Sequence, residues 1–258
     1  MEWDPVKYVE FGDYRDRPFF DLTGRVRMAA PRRVVDLGCG PGNLTAALAR
    51  RWPDAQVLGL DSSAPMIERA LALPDAPDNL SFALADIAEW SPQDGTDVVV
   101  SNAALQWVPG HRDLMASWLR ALEPGAWLAV QVPGNFSSPS HALMRQLAES
   151  DRWRGRLSGV LRHDDAVAEP TDYLRLLLDA GCKADAWETT YLQLLQGEHP
   201  VLDWVRGTGL RPVLAALDPA AAGDFEAEYA ARLAEAYPPD GRGTVFPFRR
   251  IFCVGQRK

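Results

Sequence analysis

The segment over residues 34–43 constrains the fold of this chain more than any other. It reads Val-Val-Asp-Leu-Gly-Cys-Gly-Pro-Gly-Asn, and a helical pattern follows at once over residues 44–49. This order predicts a buried strand, a tight turn whose backbone can touch a ligand, and a helix whose N-terminus faces that ligand. Asp36 stands ahead of the glycines, where its carboxylate would repel a phosphate and would suit a cationic amino group.

Further strand-like runs follow, and each ends in an acid or an amide. Asp61 lies 61 − 40 = 21 positions beyond Gly40, and in doubly wound folds an acid about 20 residues after the glycine turn binds the two hydroxyls of a ribose. Asp86 and Asn102 end the next two runs. The run over residues 98–100 is continuously apolar, as parallel strands covered on both faces require. The sequence therefore predicts an α/β fold with a doubly wound, mostly parallel sheet.

Bulk properties exclude several classes of protein. With 258 residues, a formal net charge of −8 and a pI near 5.1, the chain lacks the basic surface that nucleic-acid binding requires. No apolar run approaches the roughly 20 residues that span a bilayer, and the first residues lack the pattern of a signal peptide. The three cysteines have no metal-like spacing. We predict a cytoplasmic protein without metal, nucleic-acid or membrane partners.

The form Asp-Leu-Gly-Cys-Gly-Pro-Gly resembles the first motif of the class I S-adenosylmethionine-dependent methyltransferases. The resemblance implies a Rossmann-like sheet of seven strands, with a helical cap inserted before the last strand, and S-adenosylmethionine as the cofactor, released as S-adenosylhomocysteine. In that family the acid after the third strand meets the adenine amino group, and the following apolar side chain covers the ring. The residues expected to bind the cofactor are Asp36, Gly38, Cys39, Gly40, Asp61, Ser62, Met66, Asp86, Ile87, Asn102, Ala103, Gln106 and Trp107.

The resemblance also suggests how the chain is divided. Residues 1–30 are rich in aromatic side chains and form either a helix packed on the sheet or a helical lid over the cofactor. Residues 31–194 make the cofactor-binding core, with helices expected near 139–149 and 171–180 and a strand at 185–193. Residues 195–245 make the helical cap over the substrate, with helices near 200–207, 212–217 and 219–236. Residues 246–258 supply the final strand of the sheet.

Several segments point to a small anionic acceptor. A carboxylate is ionised at neutral pH and needs no general base, so we expect positioning residues and no catalytic acid or base. The segments around Gln131 and Trp204, and the run Thr208-Gly209-Leu210-Arg211-Pro212, resemble the trans-aconitate 2-methyltransferases. That resemblance implies formation of the monomethyl ester of trans-aconitate, with a small tricarboxylate as substrate. The expected substrate residues are Tyr8, Gln131, Asn135, His141, Arg145, Trp204, Thr208, Gly209, Arg211 and Arg250.

Three alternatives remain open at this point. The enzyme could methylate another small anionic or phenolic metabolite, or the chain could be a cofactor-binding subunit without catalytic activity. A nicotinamide dehydrogenase is the weakest alternative, because its glycines are spaced Gly-x-Gly-x-x-Gly, whereas here they stand at Gly38, Gly40 and Gly42. The sequence gives no indication of the oligomeric state.

Overall fold

The computed structural model describes residues 12–161 and 166–258, with the side chains of residues 12–15 left out. Tyr8 and the other residues of the expected N-terminal lid before residue 12 lie outside these residues. One sheet of seven strands has the order β3-β2-β1-β4-β5-β7-β6. The strands are β1 Arg33–Leu37, β2 Gln56–Asp61, β3 Leu80–Leu84, β4 Thr96–Asn102, β5 Trp127–Pro133, β6 Cys182–Leu195 and β7 Thr244–Arg257.

The helices of the described residues fill the connections between these strands. They are α1 Gly12–Thr23, α2 Asn43–Arg51, α3 Ala64–Leu71, α4 His111–Ala121, α5 Pro139–Ala148, α6 Arg154–Leu157, α7 Pro170–Asp179, α8 Pro200–Arg206, α9 Arg211–Ala216 and α10 Pro219–Ala236. Two short 3₁₀ turns, Ile87–Glu89 and Leu105–Trp107, follow β3 and β4. The helices and the late strands predicted after residue 139 are all present, within a few residues of their expected bounds.

The predicted sheet is confirmed, because β1 pairs in parallel with β2 and β4, β2 with β3, and β4 with β5. The other two strands supply the antiparallel part of the sheet. Val34, Val98, Val99 and Val100 are at most 2% exposed, since β-branched side chains on central strands pack between helices on both faces. In a parallel sheet the carboxyl ends of neighbouring strands lie at one edge. The acids and amides that end these strands are therefore brought to that edge.

The chain divides into two compact units. The first contains Met1–Val132, Ala168–Glu188 and Arg250–Lys258, and the second contains Pro133–Val167 and Thr189–Arg249. The expected boundaries at residues 194 and 245 assign less of the chain to the cap than this division assigns to the second unit. In the second unit, α10 buries Phe225, Tyr229 and Leu233, the apolar stripe that its sequence predicts.

The segment over residues 12–26 packs against the core of the first unit. Phe19, Leu22 and Val26 are at most 1% exposed. The guanidinium of Arg51 donates to the carbonyl oxygens of Thr23 and Val26 at 2.6 and 2.7 Å. The described part of the N-terminal segment is therefore a packed helix, and its role as a lid over the cofactor stays a prediction.

An ion-paired network ties the start of β1 to β4. Asp97, with a side chain only 13% exposed, accepts from the Arg32 backbone N–H at 2.6 Å and from its guanidinium at 2.7 and 3.0 Å. Arg32 also donates to Glu123 at 2.8 Å. The Arg32 guanidinium lowers the pKa of the Asp97 carboxyl.

We expect Asp97→Asn to lower the free energy of unfolding by about 1–3 kcal/mol, the usual contribution of hydrogen bonds to a charged group. Because the folded-state pKa of Asp97 is depressed, its contribution is present above the unfolded pKa of about 3.9 and is lost as the pH falls below that value. Urea denaturation of the wild type and the variant between about pH 3 and pH 7 measures this contribution. Equal stabilities at neutral pH would contradict the prediction.

Within the described residues, no helix is both long enough and apolar enough to cross a membrane.

Candidate active site

The glycine turn after β1 is held against the end of β2 by its backbone. Gly38 and Cys39 donate their N–H groups to the Leu60 carbonyl at 2.7 and 2.9 Å. Gly38 has φ +82°, in the left-handed region that favours glycine. A Cβ atom on Gly38 would lie 2.2 Å from the Cβ of Ala104. The turn is therefore in direct contact with the segment that follows β4.

Asp36 is buried beneath this turn. It is 3% exposed and accepts a hydrogen bond from the Thr45 hydroxyl at 2.7 Å. Burial raises the pKa of Asp36 to about 7, and the nearby Asp61 carboxylate adds to the rise. A carboxyl in this state gains from a cationic ligand, because such a ligand favours the ionised form.

Asp61 at the end of β2 organises the same turn. One carboxylate oxygen accepts the Gly40 N–H at 2.9 Å, and the other accepts the Ser63 N–H at 2.9 Å. Burial raises the pKa of Asp61, although these backbone hydrogen bonds oppose the shift. A carboxylate has about four lone-pair sites, so Asp61 can still accept from another donor, such as a ligand hydroxyl.

The segment Ala103–Val108 after β4, here called the β4 loop, is the second wall of the site. Ala103 has φ +57°, an unusual value for a residue other than glycine. Its N–H donates to the Gln131 carbonyl at 2.9 Å, and its carbonyl accepts from the Gln106 side-chain amide at 2.6 Å. The Oδ1 atom of Asn102 is buried and has no hydrogen-bond partner within the described part of the chain.

A second polar pair lies on β5 and β7 of the first unit. Gln131 pairs in register with Asn102 on β4. Its side-chain oxygen accepts from the guanidinium of Arg250 at 3.2 Å. Gln131 is 0% and Arg250 is 5% exposed. The guanidinium is a fixed positive charge with a planar fork of donors, which matches the geometry of a carboxylate.

The other expected cofactor residues lie on the same unit, at the ends of β1 to β4 or on the helix turns that follow them. Asp86 accepts from the Ala88 N–H at 2.9 Å and begins the 3₁₀ turn at Ile87, which is 8% exposed. Ile87 lies 3.6 Å from the Cβ position of Gly38. Met66 and Cys39 are buried, Ser62 is exposed, and Trp107 is half-buried.

Three of the expected substrate residues come together within the second unit. The Nδ2 atom of Asn135 lies 3.4 Å from the Nδ1 atom of His141. A Cβ atom on Gly209 would lie 3.1 Å from the Nε2 atom of the same histidine. Their role toward a substrate stays a prediction.

The other expected substrate residues of this unit are Arg145, Trp204, Thr208 and Arg211. Trp204 is 2% exposed and packs against Phe246 and Phe248, with ring centroids 6.0 and 5.6 Å apart. The Thr208 hydroxyl donates to the Val205 carbonyl of its own chain segment at 3.4 Å. Arg145 and Arg211 are half-buried. The packing of Trp204 is that of a core aromatic residue, and a contact with substrate stays a prediction.

Two parts of the site were not predicted from the sequence. Thr45 on α2 is the hydrogen-bond partner of Asp36. Phe82 on β3 packs on the glycine turn, and a Cβ atom on Gly42 or Gly59 would lie 2.5 or 2.6 Å from its ring. The glycine at position 59, in the middle of an apolar strand, was the available signal, because glycine there often marks a close approach.

Among residues 12–161 and 166–258, no group of three or more His, Cys, Asp or Glu side chains could hold a metal ion.

Comparisons with known proteins agree with this geometry. Residues 34–125 match the family described as "Methyltransferase domain". The chain is 56% identical to the trans-aconitate 2-methyltransferase of Streptomyces avermitilis, over 99% of this chain and 97% of that protein. It is 55% identical to that of Rhodococcus jostii, over 98% and 99%. It is 48% identical to that of Mycobacterium tuberculosis, over 98% and 96%.

Solved structures share the fold at low sequence identity. A SAM-dependent methyltransferase from Geobacter sulfurreducens in complex with S-adenosyl-L-homocysteine has a TM-score of 0.57 at 17% identity, with both chains fully covered. One from Thiobacillus denitrificans, also in complex with S-adenosyl-L-homocysteine, has a TM-score of 0.56 at 18% identity and the same coverage. At these identities the likeness establishes the fold alone.

The doubly wound sheet and the glycine turn flanked by Asp36 and Asp61 define a class I S-adenosylmethionine-dependent methyltransferase. The sequence identities of 48–56% to relatives over nearly the full length of the chain identify one family within this class. The chain belongs to the trans-aconitate 2-methyltransferase family.

Proposed function

We propose that this protein transfers a methyl group from S-adenosylmethionine to one carboxylate of trans-aconitate and forms the monomethyl ester. The observation that carries the acceptor assignment is the buried Arg250–Gln131 pair on β7 and β5. The names of the full-length relatives support the same acceptor.

The residues of the first unit have the chemistry that this cofactor needs. Asp36 offers a buried carboxyl to an ammonium group, and Asp61 offers oxygens to a ribose diol. The orphaned Oδ1 of Asn102 is an acceptor suited to the same ammonium group. Ile87 offers an apolar surface to a purine ring. We propose these four residues as the main cofactor contacts.

The acceptor side requires an anion-binding group rather than a base. The bound cofactor supplies a methyl group on a positively charged sulfur atom. A carboxylate acceptor is already ionised at neutral pH, so no proton has to be removed before the transfer. We propose that the Arg250 guanidinium, held by Gln131, binds and orients a carboxylate of the acceptor. Partial removal of water from the acceptor and its alignment then account for the rate enhancement.

Incubation of the purified protein with methyl-labelled S-adenosylmethionine and a panel of acids tests this function. The panel contains trans-aconitate, cis-aconitate, citrate and a phenol. We expect the labelled monomethyl ester to form from trans-aconitate with the highest kcat/KM. Turnover of the phenol or another acid without any ester of trans-aconitate would instead support the alternative of a different small metabolite.

Arg250→Ala is expected to raise the KM for trans-aconitate by about 30-fold or more, because a charged partner lost from a buried pair costs about 2–5 kcal/mol. Arg250→Lys retains the charge without the fork of donors, and we expect an intermediate KM. The affinity for S-adenosylmethionine should change little in both variants. Arg120→Ala, on the exposed face of α4, is the control for loss of a positive charge. An unchanged KM for trans-aconitate in Arg250→Ala would contradict the proposed anion site.

A further inference from the structure

We propose that His111 and Tyr173 are positioning residues that hold the β4 loop in the conformation that binds S-adenosylmethionine. This inference rests on the proposed function for its cofactor. Both residues belong to the first unit, His111 in the first turn of α4 and Tyr173 on α7. Their side chains are buried, His111 at 6% and Tyr173 at 0% exposure. Neither is among the residues that the sequence predicts for the site.

All the hydrogen bonds of this pair form with only one tautomer of a neutral His111 imidazole. The Nδ1 atom of His111 lies 3.3 Å from the Val108 carbonyl oxygen, and a carbonyl can only accept, so Nδ1 carries the proton. The Nε2 atom is then an acceptor, and it lies 2.8 Å from the hydroxyl of Tyr173. The Tyr173 oxygen in turn accepts the Ala168 N–H at 3.4 Å. Burial lowers the pKa of His111, which keeps the imidazole neutral.

This chain of hydrogen bonds ends on the last residue of the β4 loop. The first residue of the loop, Ala103, is held by its N–H to the Gln131 carbonyl. At the other end, the Val108 carbonyl accepts from the imidazole and from the backbone N–H of His111, each at 3.3 Å. Ala103 has φ +57°, and Ala104, between the two ends, is in contact with Gly38. An unusual backbone conformation persists only where its surroundings fix it, so the two ends of the loop must both be anchored.

Tyr173 acts through His111 rather than on the loop directly. The Tyr173 hydroxyl reinforces the tautomer with the proton on Nδ1, because it donates to Nε2; without it, that tautomer is favoured by the Val108 carbonyl but no longer by a donor at Nε2. The other tautomer would turn a lone pair toward the Val108 carbonyl oxygen. The pair therefore links α7 to the cofactor side of the sheet without any contact between Tyr173 and the cofactor.

Three variants separate positioning from simple support of the core. An asparagine amide nitrogen falls near the position of Nδ1, and a glutamine amide falls near that of Nε2. His111→Asn should therefore keep the donor to Val108 and keep the Kd for S-adenosylmethionine within about twofold of the wild type. His111→Gln keeps the link to Tyr173 and the backbone hydrogen bond to Val108 but loses the side-chain donor to that carbonyl, and we expect its Kd to rise about 3- to 10-fold, the usual effect of one lost hydrogen bond. Tyr173→Phe should give a smaller rise in the same direction.

Calorimetric titration with S-adenosylmethionine, thermal unfolding, and steady-state kinetics give the readouts. We expect the KM for S-adenosylmethionine to follow the Kd while kcat at saturation stays within about twofold. Ser117→Ala is the matched control, because its hydroxyl donates to Leu114 within α4 and is remote from the loop. Variants that lose thermal stability with unchanged Kd would overturn the proposal, as would equal Kd values for His111→Asn and His111→Gln. A wild type that binds S-adenosylmethionine without methylating trans-aconitate would refute the proposed acceptor and leave this test intact.

Discussion

Replacing Asp36 with asparagine is expected to weaken the binding of S-adenosylmethionine by about 30- to 1000-fold and to stabilise the folded protein at pH 8. The two effects have one cause. The Asp36 carboxyl is buried, its described hydrogen-bond partner is the neutral Thr45 hydroxyl, and its pKa is raised to about 7. Ionisation of this carboxyl in the free protein lowers the free energy of unfolding. A bound ammonium group offsets that loss, because it stabilises the ionised form.

The direction of the stability change follows from proton binding. A carboxyl with a folded-state pKa near 7 and an unfolded pKa near 3.9 binds more protons in the folded state between those values. The free energy of unfolding therefore falls as the pH rises through that window. Asparagine can still accept from Thr45 and does not ionise, so the variant should gain on the order of a few kcal/mol at pH 8.

The affinity for S-adenosylmethionine should also depend on the ionisation of Asp36. It should rise with pH, whereas the free energy of unfolding falls. In the wild type, the Kd should rise up to about tenfold for each pH unit below about 7, because the protonated carboxyl offers no charge to the ligand. In Asp36→Asn this dependence should be reduced to the contribution of Asp61, whose pKa is also raised. Calorimetry between about pH 5.5 and pH 7.5 and urea denaturation at about pH 8 measure both effects. A wild-type pH dependence that persists in full in the variant would contradict this account.

Replacing Gly38 with alanine is expected to abolish detectable binding of S-adenosylmethionine. The added Cβ atom would lie 2.2 Å from the Cβ of Ala104, and φ is +82°. The glycine turn and the β4 loop would have to move apart, and the walls of the cofactor site would separate. Gly125→Ala is the matched control, since Gly125 has φ +90° with no atom within 4 Å of its Cβ position.

The control separates backbone strain from the steric clash. We expect Gly125→Ala to cost about 1–2 kcal/mol of folding free energy, as a non-glycine residue in the left-handed region does, and to leave the Kd unchanged. Calorimetric titration with S-adenosylhomocysteine, together with circular dichroism to establish folding, gives the result. A folded Gly38→Ala protein that binds the ligand with wild-type affinity would rule out contact between the turn and the loop.

The places of the expected cofactor residues in the fold could be predicted from sequence, because these residues occur at fixed points in the strand order; their contacts with the cofactor stay predictions. Asp36, Asp61 and Asn102 each lie at the carboxyl end of a parallel strand, and parallel strands bring these ends to one edge. Gln131 and Arg250 were each expected to contact the substrate, but the hydrogen bond between them was not predicted. The helices after β5 were also predictable, because their apolar residues recur with a helical period.

The partners of these groups could not be predicted in the same way. Thr45, His111 and Tyr173 act through hydrogen bonds to residues that are distant in sequence or on another element, up to 62 positions apart for His111 and Tyr173. A lone histidine at the start of a helix has no periodic or motif signal. The core position of Trp204 was missed for a related reason, because its aromatic neighbours lie on β7, more than 40 residues later.

The burial of the three cysteines affects how the protein resists oxidants and alkylating agents. Cys39, Cys182 and Cys253 are all buried, none forms a disulfide within the described residues, and burial raises the pKa of each thiol. Since the thiolate is the species that oxidants and alkylating agents attack, the native state shields all three. Oxidation or alkylation of these cysteines therefore requires local or global unfolding of the chain first.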